Sequence, residues 1–339
     1  ALQSVGVEEA YRFATENLGL GLVADDMVVG ALGMGGLTRG LSTVEMAAAY
    51  ACFVNNGVYN EPRTYIRVTR TDNTTGQEIT VLENESESHV AMKDTTAYLM
   101  TDMLKNAVTS GTGNQARFNG MHIAGKTGTT NDNKDRYFVG FTPYYVAAVW
   151  TGYEDPERIS YSGNPAITMW KKVMEPLHMD LPDKDFENKP STGLTSIEVC
   201  LDSGMKPTDA CRADPRGGRV ANFTAAAGTG PTEECTMHKV VSYCTEGHCL
   251  ATESCPLEVV EERAYLDYVR EDYGPSIKAE DDAYLISNLE KLTEVSETNP
   301  IGGCPAHNGL PPVDPLDPLN PVDPNNPGGG TTTTPGEPY

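Results

Sequence analysis

The residues best suited to chemistry stand together in the middle of the chain, in the segment AGKTGTT. They are Lys126, Thr127, Gly128, Thr129 and Thr130. The lysine offers a positive charge, the threonine hydroxyls can bind a carboxylate, and a glycine without Cβ lets a ligand approach the backbone closely. A backbone N–H at Thr129 can donate to a developing oxyanion. Together these groups are the parts of an acyl-transfer site.

A β-strand must position this segment for its groups to act together. Side chains alternate along a strand, so Lys126, Gly128 and Thr130 would share one face, with Thr127 and Thr129 on the other. The alternative is a polar edge strand whose lysine only guards against pairing with another chain. Because three residues recur by chance, the motif alone does not decide between these interpretations.

The elements around this strand follow from periodicity and from cap and turn signals. A helix begins at Ser42 or Thr43, carries Glu45 in its first turn, and ends at NNG, residues 55–57. TYIRVTRTDNTTGQEI predicts a β-hairpin, and DTTAYLMTDMLKNAVT, from Asp94, predicts an amphipathic helix. MHIAGKTGTT, RYFVGFTP and YYVAAVWTGYE predict three antiparallel strands, which a helix in NPAITMWKKVMEPLHM would cover. The expected fold class is therefore α/β, with an antiparallel sheet flanked by helices.

Seven of the eight cysteines lie between residues 200 and 304, while Cys52 stands in an apolar, helix-like run and reads as a core residue. Two segments, CLDSGMKPTDAC and CTEGHCLATESC, have the same length and similar endings. This repeat favours two disulfides, Cys200–Cys211 and Cys244–Cys255, in a module outside the cytosol. Each would stabilise the module by about 2–3 kcal/mol. The pairing of the remaining three cysteines stays open.

A second hypothesis for the same region is a non-catalytic surface module stabilised by zinc. Cys235-x-x-His238 and Cys304-x-x-His307 have plausible zinc-ligand spacing, and His248-Cys249 lies between them. Disulfides with solvated histidines are the competing interpretation. The sequence favours the disulfides, so no metal site and no cofactor are expected.

Composition excludes two classes of partner. The formal net charge of −23 argues against nucleic acid or an anionic membrane surface, which both need clustered lysine and arginine. No apolar run reaches the length of about 18 residues that a membrane span requires. The chain opens inside a helical pattern, LQSVGVEEAYRFATENLGL, and without methionine, so we expect a fragment from which any upstream export signal is missing.

The segment AGKTGTTNDNKDRYFVGFTPYYVAAVWTGYED resembles the K-T-G-T-T region of class A penicillin-binding proteins, the bifunctional peptidoglycan glycosyltransferase/transpeptidases. GTGNQA and GLSTVEMAAAYACFVNNGVYNEP also resemble this family, and VCLDSGMKPTDAC and TEECTMH resemble its C-terminal cysteine segments in some Gram-positive members. The resemblance covers residues 1 to about 255. It implies a truncated penicillin-binding transpeptidase (β-lactamase-like) fold.

With the resemblance, the composition divides the chain into four predicted regions. They are part of a transpeptidase domain at 1–182, a Cys-rich module at 183–270, an acidic helical segment at 271–303, and a disordered tail rich in Pro, Asp, Gly and Thr at 304–339.

The resemblance also implies how the site works. An upstream serine would attack the D-Ala-D-Ala carbonyl of a peptidoglycan stem peptide, and β-lactams would acylate the same serine. Lys126 would set the electrostatics and proton traffic of a second serine, and Thr127 and Thr129 would hold the substrate carboxylate, beside Gly128 and Thr130 as further substrate-binding residues. The parent enzyme would be extracytoplasmic, facing the cell wall and anchored to the membrane through a missing N-terminal segment. No cofactor is implied.

Two motifs of the family are missing from the expected order S-x-x-K, S-x-N, K-T-G. Ser203-Gly204-Met205-Lys206 and Ser162-Gly163-Asn164 match the patterns, but both follow the K-T-G segment and are rejected as catalytic. We therefore expect this chain to lack the nucleophile and to be inactive alone. A β-lactamase-like hydrolase is an alternative, because such enzymes also use a K-T-G motif, but the long Cys-rich extension argues against it.

Overall fold

The computed structural model describes residues 2–268 and 279–309 of the chain. The chain divides into two compact units. The first comprises Ala1–Thr195 with Ala225–Ala227, and the second comprises Ser196–Thr224 and the residues from Gly228 onward. Among the described residues, no helix combines the length and apolarity needed to cross a membrane.

From residue 2 onward, where the structure describes it, the first unit contains six α-helices and seven β-strands. The helices are α1 (Leu2–Val5), α2 (Val7–Arg12), α3 (Val29–Met34), α4 (Thr43–Val54), α5 (Asp94–Thr109) and α6 (Pro165–Leu177). The strands are β1 (Val58–Asn60), β2 (Arg67–Thr71), β3 (Glu78–Glu83), β4 (Ser88–Val90), β5 (Ala124–Thr129), β6 (Arg136–Phe141) and β7 (Val146–Thr151). A π-helix covers Phe13–Asn17, and 3-10 helices cover Ala24–Asp26, Asn114–Ala116 and Asn131–Asn133.

Strands β5, β6 and β7 form the predicted antiparallel meander, in the order β5-β6-β7. The register pairs Lys126 with Val139 and Gly128 with Tyr137. Two short pairs, β1–β4 and the predicted hairpin β2–β3, accompany this sheet. The α/β architecture expected from the sequence is therefore confirmed.

The meander lies between two apolar layers, because alternate residues of β6 point to opposite faces. Phe138 packs with α6, where Ile167, Trp170 and Met174 recur at helical spacing. Phe141 faces the other layer, together with Phe53 of α4 and further residues of α4 and α5. The sheet is thus fixed from both sides by buried helices.

Trp170 is the centre of the α6 layer. It is fully buried, meets the Phe138 ring edge-to-face at 5.2 Å, and donates its indole N–H to the Ala147 carbonyl at 3.0 Å. Gly140 allows this approach, because a Cβ there would stand 2.7 Å from Phe138 Cε1 and 2.9 Å from Trp170 Cζ2. The packing of the helix on the strand therefore depends on a residue without a side chain.

Helix α4 begins with the predicted cap. Ser42 Oγ accepts the Glu45 N–H at 3.2 Å, and Glu45 Oε2 accepts the Ser42 N–H at 2.8 Å, which is a capping box. The second oxygen of Glu45 accepts the Gly21 N–H at 2.9 Å. One carboxylate thus closes the helix end and holds the preceding loop against it.

The first unit continues past Pro182, where the sequence analysis placed its end. The ring of Phe186 lies 5.4 Å from that of Phe141, edge-to-face. The Asn188 side chain, which is buried, donates to the Phe53 carbonyl at 2.7 Å and to Thr101 Oγ1 at 2.9 Å. These contacts attach the following segment to the first unit up to Thr195.

In the part that the structure describes, the second unit contains two small sheets and short helices. Its elements are β8 (Leu194–Cys200), α7 (Asp209–Arg212), β9 (Val220–Ala226), β10 (His238–Cys244), β11 (Cys249–Leu250), β12 (Val260–Leu266) and α8 (Ile286–Thr293), with 3-10 helices at Leu257–Val259 and Ala279–Tyr284. Strand β8 pairs with β9, and the other sheet has the order β11-β10-β12. Part of the predicted acidic segment, residues 271–278, and most of the predicted tail, residues 310–339, lie outside the described residues.

Candidate functional site

The K-T-G segment is an edge strand. Among the described residues, β5 is paired on one side only, with β6. Its first residues, Ala124 and Gly125, are buried, whereas Lys126 and Thr129 are exposed and Thr127 is partly buried. The strand is thus anchored at its beginning and presents its cation and hydroxyls toward its end.

Lys126 and Thr127 have defined surroundings. Lys126 Nζ donates to the Thr127 carbonyl at 3.1 Å. The hydroxyl of Thr127 lies 2.8 Å from that of Thr112, so that one of them donates to the other. The two threonines hold a pair of hydroxyl groups, which is a suitable arrangement for binding a carboxylate.

Thr112 is a site residue that the sequence analysis did not assign. Its loop follows α5, where the Gly113 N–H donates to the Ala107 carbonyl at 3.0 Å and Ala116 is fully buried. The loop is therefore folded back onto the end of the helix, beside β5. Thr112 belongs to the segment GTGNQA, which the sequence analysis quoted for its resemblance to the family. Its proximity to Thr127 is visible only in the folded chain.

Thr130 shapes the turn that follows the strand. It lies beyond the end of β5, and its hydroxyl accepts the Asp135 N–H at 2.9 Å and donates to the Asp135 carboxylate at 3.2 Å. Asp135 also accepts the indole N–H of Trp150 at 3.0 Å. These bonds hold the turn between β5 and β6, in which Asp132 and Asn133 have φ angles of 62° and 57°. The structure thus uses the Thr130 hydroxyl to shape the turn.

Gly128 stands opposite Tyr137, and a Cβ at Gly128 would come 3.1 Å from Tyr137 Cβ. The Tyr137 hydroxyl is buried and has no hydrogen-bond partner among the described residues. Burial raises the pKa of Tyr137 to about 12, and the negative charge of Glu45 adds to this effect. The phenol beneath the strand is therefore neutral at physiological pH.

The two rejected motifs have structural roles. Asn164 caps α6, since its side chain accepts the Ala166 N–H at 2.9 Å, and it also donates to the Tyr137 carbonyl at 3.2 Å. The Gly163 carbonyl accepts a hydrogen bond from Arg136. In the second unit, Ser203 accepts the Met205 N–H at 3.2 Å within a turn. Neither serine belongs to a nucleophile–base pair in the hydrogen bonds of the described residues.

All eight cysteines are free thiols, so the structure forms neither predicted disulfide. Each predicted pair instead belongs to a larger group of four side chains. The groups are Cys200, Cys211, Cys235 and His238, and Cys244, Cys255, Cys304 and His307. In the sequence, the repeated Cys loops favoured disulfides and the Cys-x-x-His pairs favoured zinc, so the two patterns were treated as alternatives. In the structure, each group combines the two cysteines that close one loop with the cysteine and histidine of one Cys-x-x-His pair.

A groove of about 710 Å³ lies elsewhere in the first unit. It is lined by α4 residues such as Ala47, by residues 60–63, and by Ala147 and Ala148 of β7. None of the K-T-G residues lines this groove, so the groove is not part of the candidate site at the edge of β5.

The family model described as "Penicillin binding protein transpeptidase domain" matches residues 2–175, which include β5 and both helical layers. This chain belongs to that family. A second model, "Penicillin-binding protein 1A, C-terminal domain", matches residues 190–240. The resemblance seen in the sequence and the transpeptidase fold are therefore confirmed.

Curated relatives agree with this assignment. A protein of Clostridium botulinum (strain Langeland) named penicillin-binding protein 1A is 34% identical over 289 residues, covering 84% of this chain and 34% of the relative. Penicillin-binding protein 1A/1B of Bacillus subtilis is 38% identical over 230 residues, covering 61% of this chain and 23% of the relative. The chain thus spans about a third and about a quarter of the length of these two proteins.

A solved structure of penicillin-binding protein 1A from Haemophilus influenzae is 22% identical, with a TM-score of 0.49, and the match covers 69% of this chain and 38% of that one. The D,D-transpeptidase domain of a peptidoglycan glycosyltransferase from Eggerthella lenta is 25% identical, with a TM-score of 0.40, over 52% of this chain and 48% of that one.

Proposed function

We propose that this chain supplies the K-T-G side of the active site of a peptidoglycan D,D-transpeptidase. The observation that carries the proposal is the exposed edge of β5, where Lys126 and the paired hydroxyls of Thr127 and Thr112 stand at the surface of a transpeptidase-family sheet. Such an edge offers a cation, hydroxyl groups and backbone to an extended peptide that ends in a carboxylate.

Each residue of the strand has a role in this proposal. Thr127 and Thr129 bind the terminal carboxylate of the stem peptide, with Thr112 orienting the hydroxyl of Thr127. The Thr129 N–H donates to the oxyanion. Lys126 supplies positive charge to the serine groups that the sequence motifs of the family place upstream. Gly128 keeps the strand surface flat, and Thr130 fixes the turn that follows.

The chemistry is a two-step acyl transfer through a serine outside this sequence. The serine oxygen forms a bond to the penultimate D-alanine carbonyl carbon while the C–N bond to the last D-alanine breaks, and the amine leaves with the proton. An amine of a neighbouring stem peptide then forms the new amide and returns a proton to the serine. β-Lactams acylate the same serine, and no cofactor takes part in either step.

This function sets the cellular context. We infer that the enzyme acts outside the cytoplasm, facing the cell wall, and that an upstream segment holds it at the membrane and carries the glycosyltransferase activity of class A proteins. The 339-residue chain contains the K-T-G motif but no S-x-x-K or S-x-N motif before it. It is therefore inactive alone.

The experiment is labelling with a fluorescent penicillin, of the 339-residue chain and of the longer product of the same reading frame. We expect no covalent label on the chain alone and one label per molecule on the longer product. Stoichiometric labelling of the chain alone would contradict an upstream nucleophile, and an unlabelled longer product would contradict the transpeptidase assignment. Slow loss of the label distinguishes a transpeptidase from the alternative, a β-lactamase-like hydrolase, which would release it rapidly.

Variants of the longer product test the strand itself. Lys126→Ala should lower the acylation rate by about 10²–10³-fold, the usual loss for one electrostatic contact to a developing charge. Lys134→Ala is the matched control, because this lysine lies in the turn after the same strand. Equal rates for the two variants would remove Lys126 from the site.

A further inference from the structure

The second unit repeats one arrangement of side chains twice. In each copy, two cysteines separated by ten residues are followed by a Cys-x-x-His pair. In each copy the four ligand atoms, three sulfurs and one ring nitrogen, lie within 4.8 Å of one another. Two independent stretches of chain therefore fold their cysteines and histidines to the same grouping.

The first group has the dimensions of a metal site. Cys200 Sγ lies 3.6 Å from Cys235 Sγ, and these sulfurs lie 3.5 Å and 3.3 Å from His238 Nδ1. A tetrahedral zinc site with Zn–S bonds of about 2.3 Å and Zn–N bonds of about 2.0 Å has edges of about 3.8 Å between sulfurs and about 3.5 Å between sulfur and nitrogen. The observed distances are close to these edges.

The second group repeats those dimensions. Cys244 Sγ lies 3.6 Å from Cys304 Sγ, and the two sulfurs lie 3.5 Å and 3.4 Å from His307 Nδ1. The remaining cysteine of each group has the same environment, since the Thr208 N–H donates to Cys211 Sγ, and the Thr252 N–H to Cys255 Sγ, both at 3.4 Å. Such N–H···S bonds favour a thiolate.

Both histidines are oriented by carboxylates on their far side. His238 Nε2 lies 2.9 Å from Asp214 and 3.2 Å from Asp202, and His307 Nε2 lies 3.0 Å from Glu246. A carboxylate that accepts the Nε2 proton leaves the Nδ1 lone pair facing the sulfurs, which is the usual outer-shell arrangement of a zinc-bound histidine. Arg216 pairs with both aspartates at 2.8 Å and 2.6 Å, and Arg219 pairs with Asp202 at 3.0 Å, so both carboxylates are ion-paired while they support His238.

Disulfides do not account for these groups. One disulfide within a group of three cysteines leaves one buried thiol unpaired and gives the histidine no ligand role. Zinc uses all four side chains and also replaces the missing apolar core, because the packing around each group consists mainly of the cysteines themselves. Small domains with few buried apolar residues commonly need such a cross-link.

We propose that the second unit binds two structural zinc ions, one through Cys200, Cys211, Cys235 and His238 and the other through Cys244, Cys255, Cys304 and His307. Four protein ligands close the coordination sphere, so the ions are structural and take no part in the transpeptidase reaction. Binding releases the three thiol protons of each group and leaves the histidine neutral.

The test begins with the unmodified 339-residue chain, purified with a thiol reductant and without chelator. We expect two zinc ions per chain by elemental analysis and native mass spectrometry. Replacement by Co²⁺ should give thiolate-to-cobalt charge-transfer absorption corresponding to three sulfurs per ion, together with the intense visible bands of tetrahedral cobalt. A zinc-free chain that does not bind Co²⁺ in this form would overturn the proposal, as would a natively oxidised chain whose mass shows the six cysteines in disulfides.

Variants assign the ions to their sites. Cys211→Ser and Cys255→Ser should each lower the stoichiometry from two to one, and the double variant should bind none. Cys52→Ala is the control, because this cysteine is buried in the first unit, where its thiol lies 3.7 Å from the Ala48 carbonyl. It should keep both ions. A stoichiometry of two in Cys211→Ser or Cys255→Ser would overturn the corresponding site.

The supporting carboxylates give a test that leaves all ligands in place. Glu246→Gln should weaken the second site by about 10–100-fold in competition with a chromophoric chelator, while the first site is unchanged. Glu253→Gln, an exposed acid in the same repeated loop, is its control. No difference between the two variants would overturn the assignment of Glu246 to the outer shell of a metal site.

Discussion

The two units of this chain are stabilised in opposite ways. In the first unit, a three-stranded sheet lies between apolar layers that include Trp170, Phe138 and Phe141. In the second, the buried groups are largely cysteines, with one small cluster built on Tyr243 and Tyr265. Hydrophobic burial is non-directional and tolerant, whereas a sulfur and nitrogen cluster depends on a bound ion and on exact ligand chemistry. The same perturbation should therefore affect the two units differently.

Metal removal should give the largest effect. With reductant and a strong chelator, we expect β10 and β12 to lose protection from hydrogen exchange, while β5, β6 and β7 keep theirs. Structural zinc contributes on the order of 10 kcal/mol per site at pH 7, more than a small unit can lose and stay folded. Unchanged protection of β10 in a chain shown to be metal-free would contradict this contrast.

Trp170→Ala should destabilise the first unit and leave the second unit unchanged. Loss of a fully buried indole and of its hydrogen bond to Ala147 should lower the free energy of unfolding of the first unit by about 3–5 kcal/mol, measured by urea unfolding with hydrogen exchange as the probe. The zinc content should stay at two. Trp150→Ala is the matched control, because Trp150 is 44% exposed, and its loss should cost about 1 kcal/mol.

Gly140→Ala tests the closeness of packing in the first unit. The added methyl group would meet the Phe138 and Trp170 rings at 2.7 Å and 2.9 Å, so we expect a loss of about 1–3 kcal/mol in the same assay. Gly36→Ala adds a methyl group with no heavy atom within 4 Å and should be close to neutral. Equal stability of the two variants would show that the helix layer can shift without cost.

The smallest effect concerns a surface ion pair of the first unit. Partial burial would raise the pKa of Asp185, but the hydrogen bond from Lys105, the Phe186 N–H and the charges of Lys105 and His122 outweigh it and lower that pKa. The contribution to stability is therefore full above the ordinary Asp pKa of about 3.9 and is lost as the pH falls through the folded-state pKa. Because Asp185 is 55% exposed, Asp185→Asn should cost less than about 1 kcal/mol at pH 7. The wild type and the variant should converge in thermal unfolding near pH 2, and a constant difference would contradict the assignment.

Much of the first unit was predictable because its signals are local. The capping box at Ser42 and Glu45, the helix from Asp94 and the three strands around Lys126 all depend on residues within a few positions of each other. The end of the unit was not predictable in this way. Asn188 and Phe186 belong to it through contacts with Phe53 and Phe141, which are far away along the chain.

The cysteines show the limit of the same reasoning. The repeat of two equal loops was visible in the sequence, and so was the spacing of Cys235 and His238. Their combination was not, because nothing local relates Cys255 to Cys304, which are separated by β12 and α8. Short loops closed by cysteines are also what disulfides produce, so the sequence pattern favoured two disulfides, whereas the structure has free thiols in two groups of four side chains.

The sequence by itself determined the family, the α/β class and the K-T-G strand. The hydrophobic periodicity of helices and strands and the short motifs depend only on residues that are close together along the chain. Only the tertiary structure decided that Thr112 meets Thr127, that Thr130 holds a turn, and that each Cys loop shares a site with a Cys-x-x-His pair. The physical reason is that hydroxyl pairs and ligand clusters form between segments brought together by folding. Their distances depend on the path of the whole chain and on no local pattern.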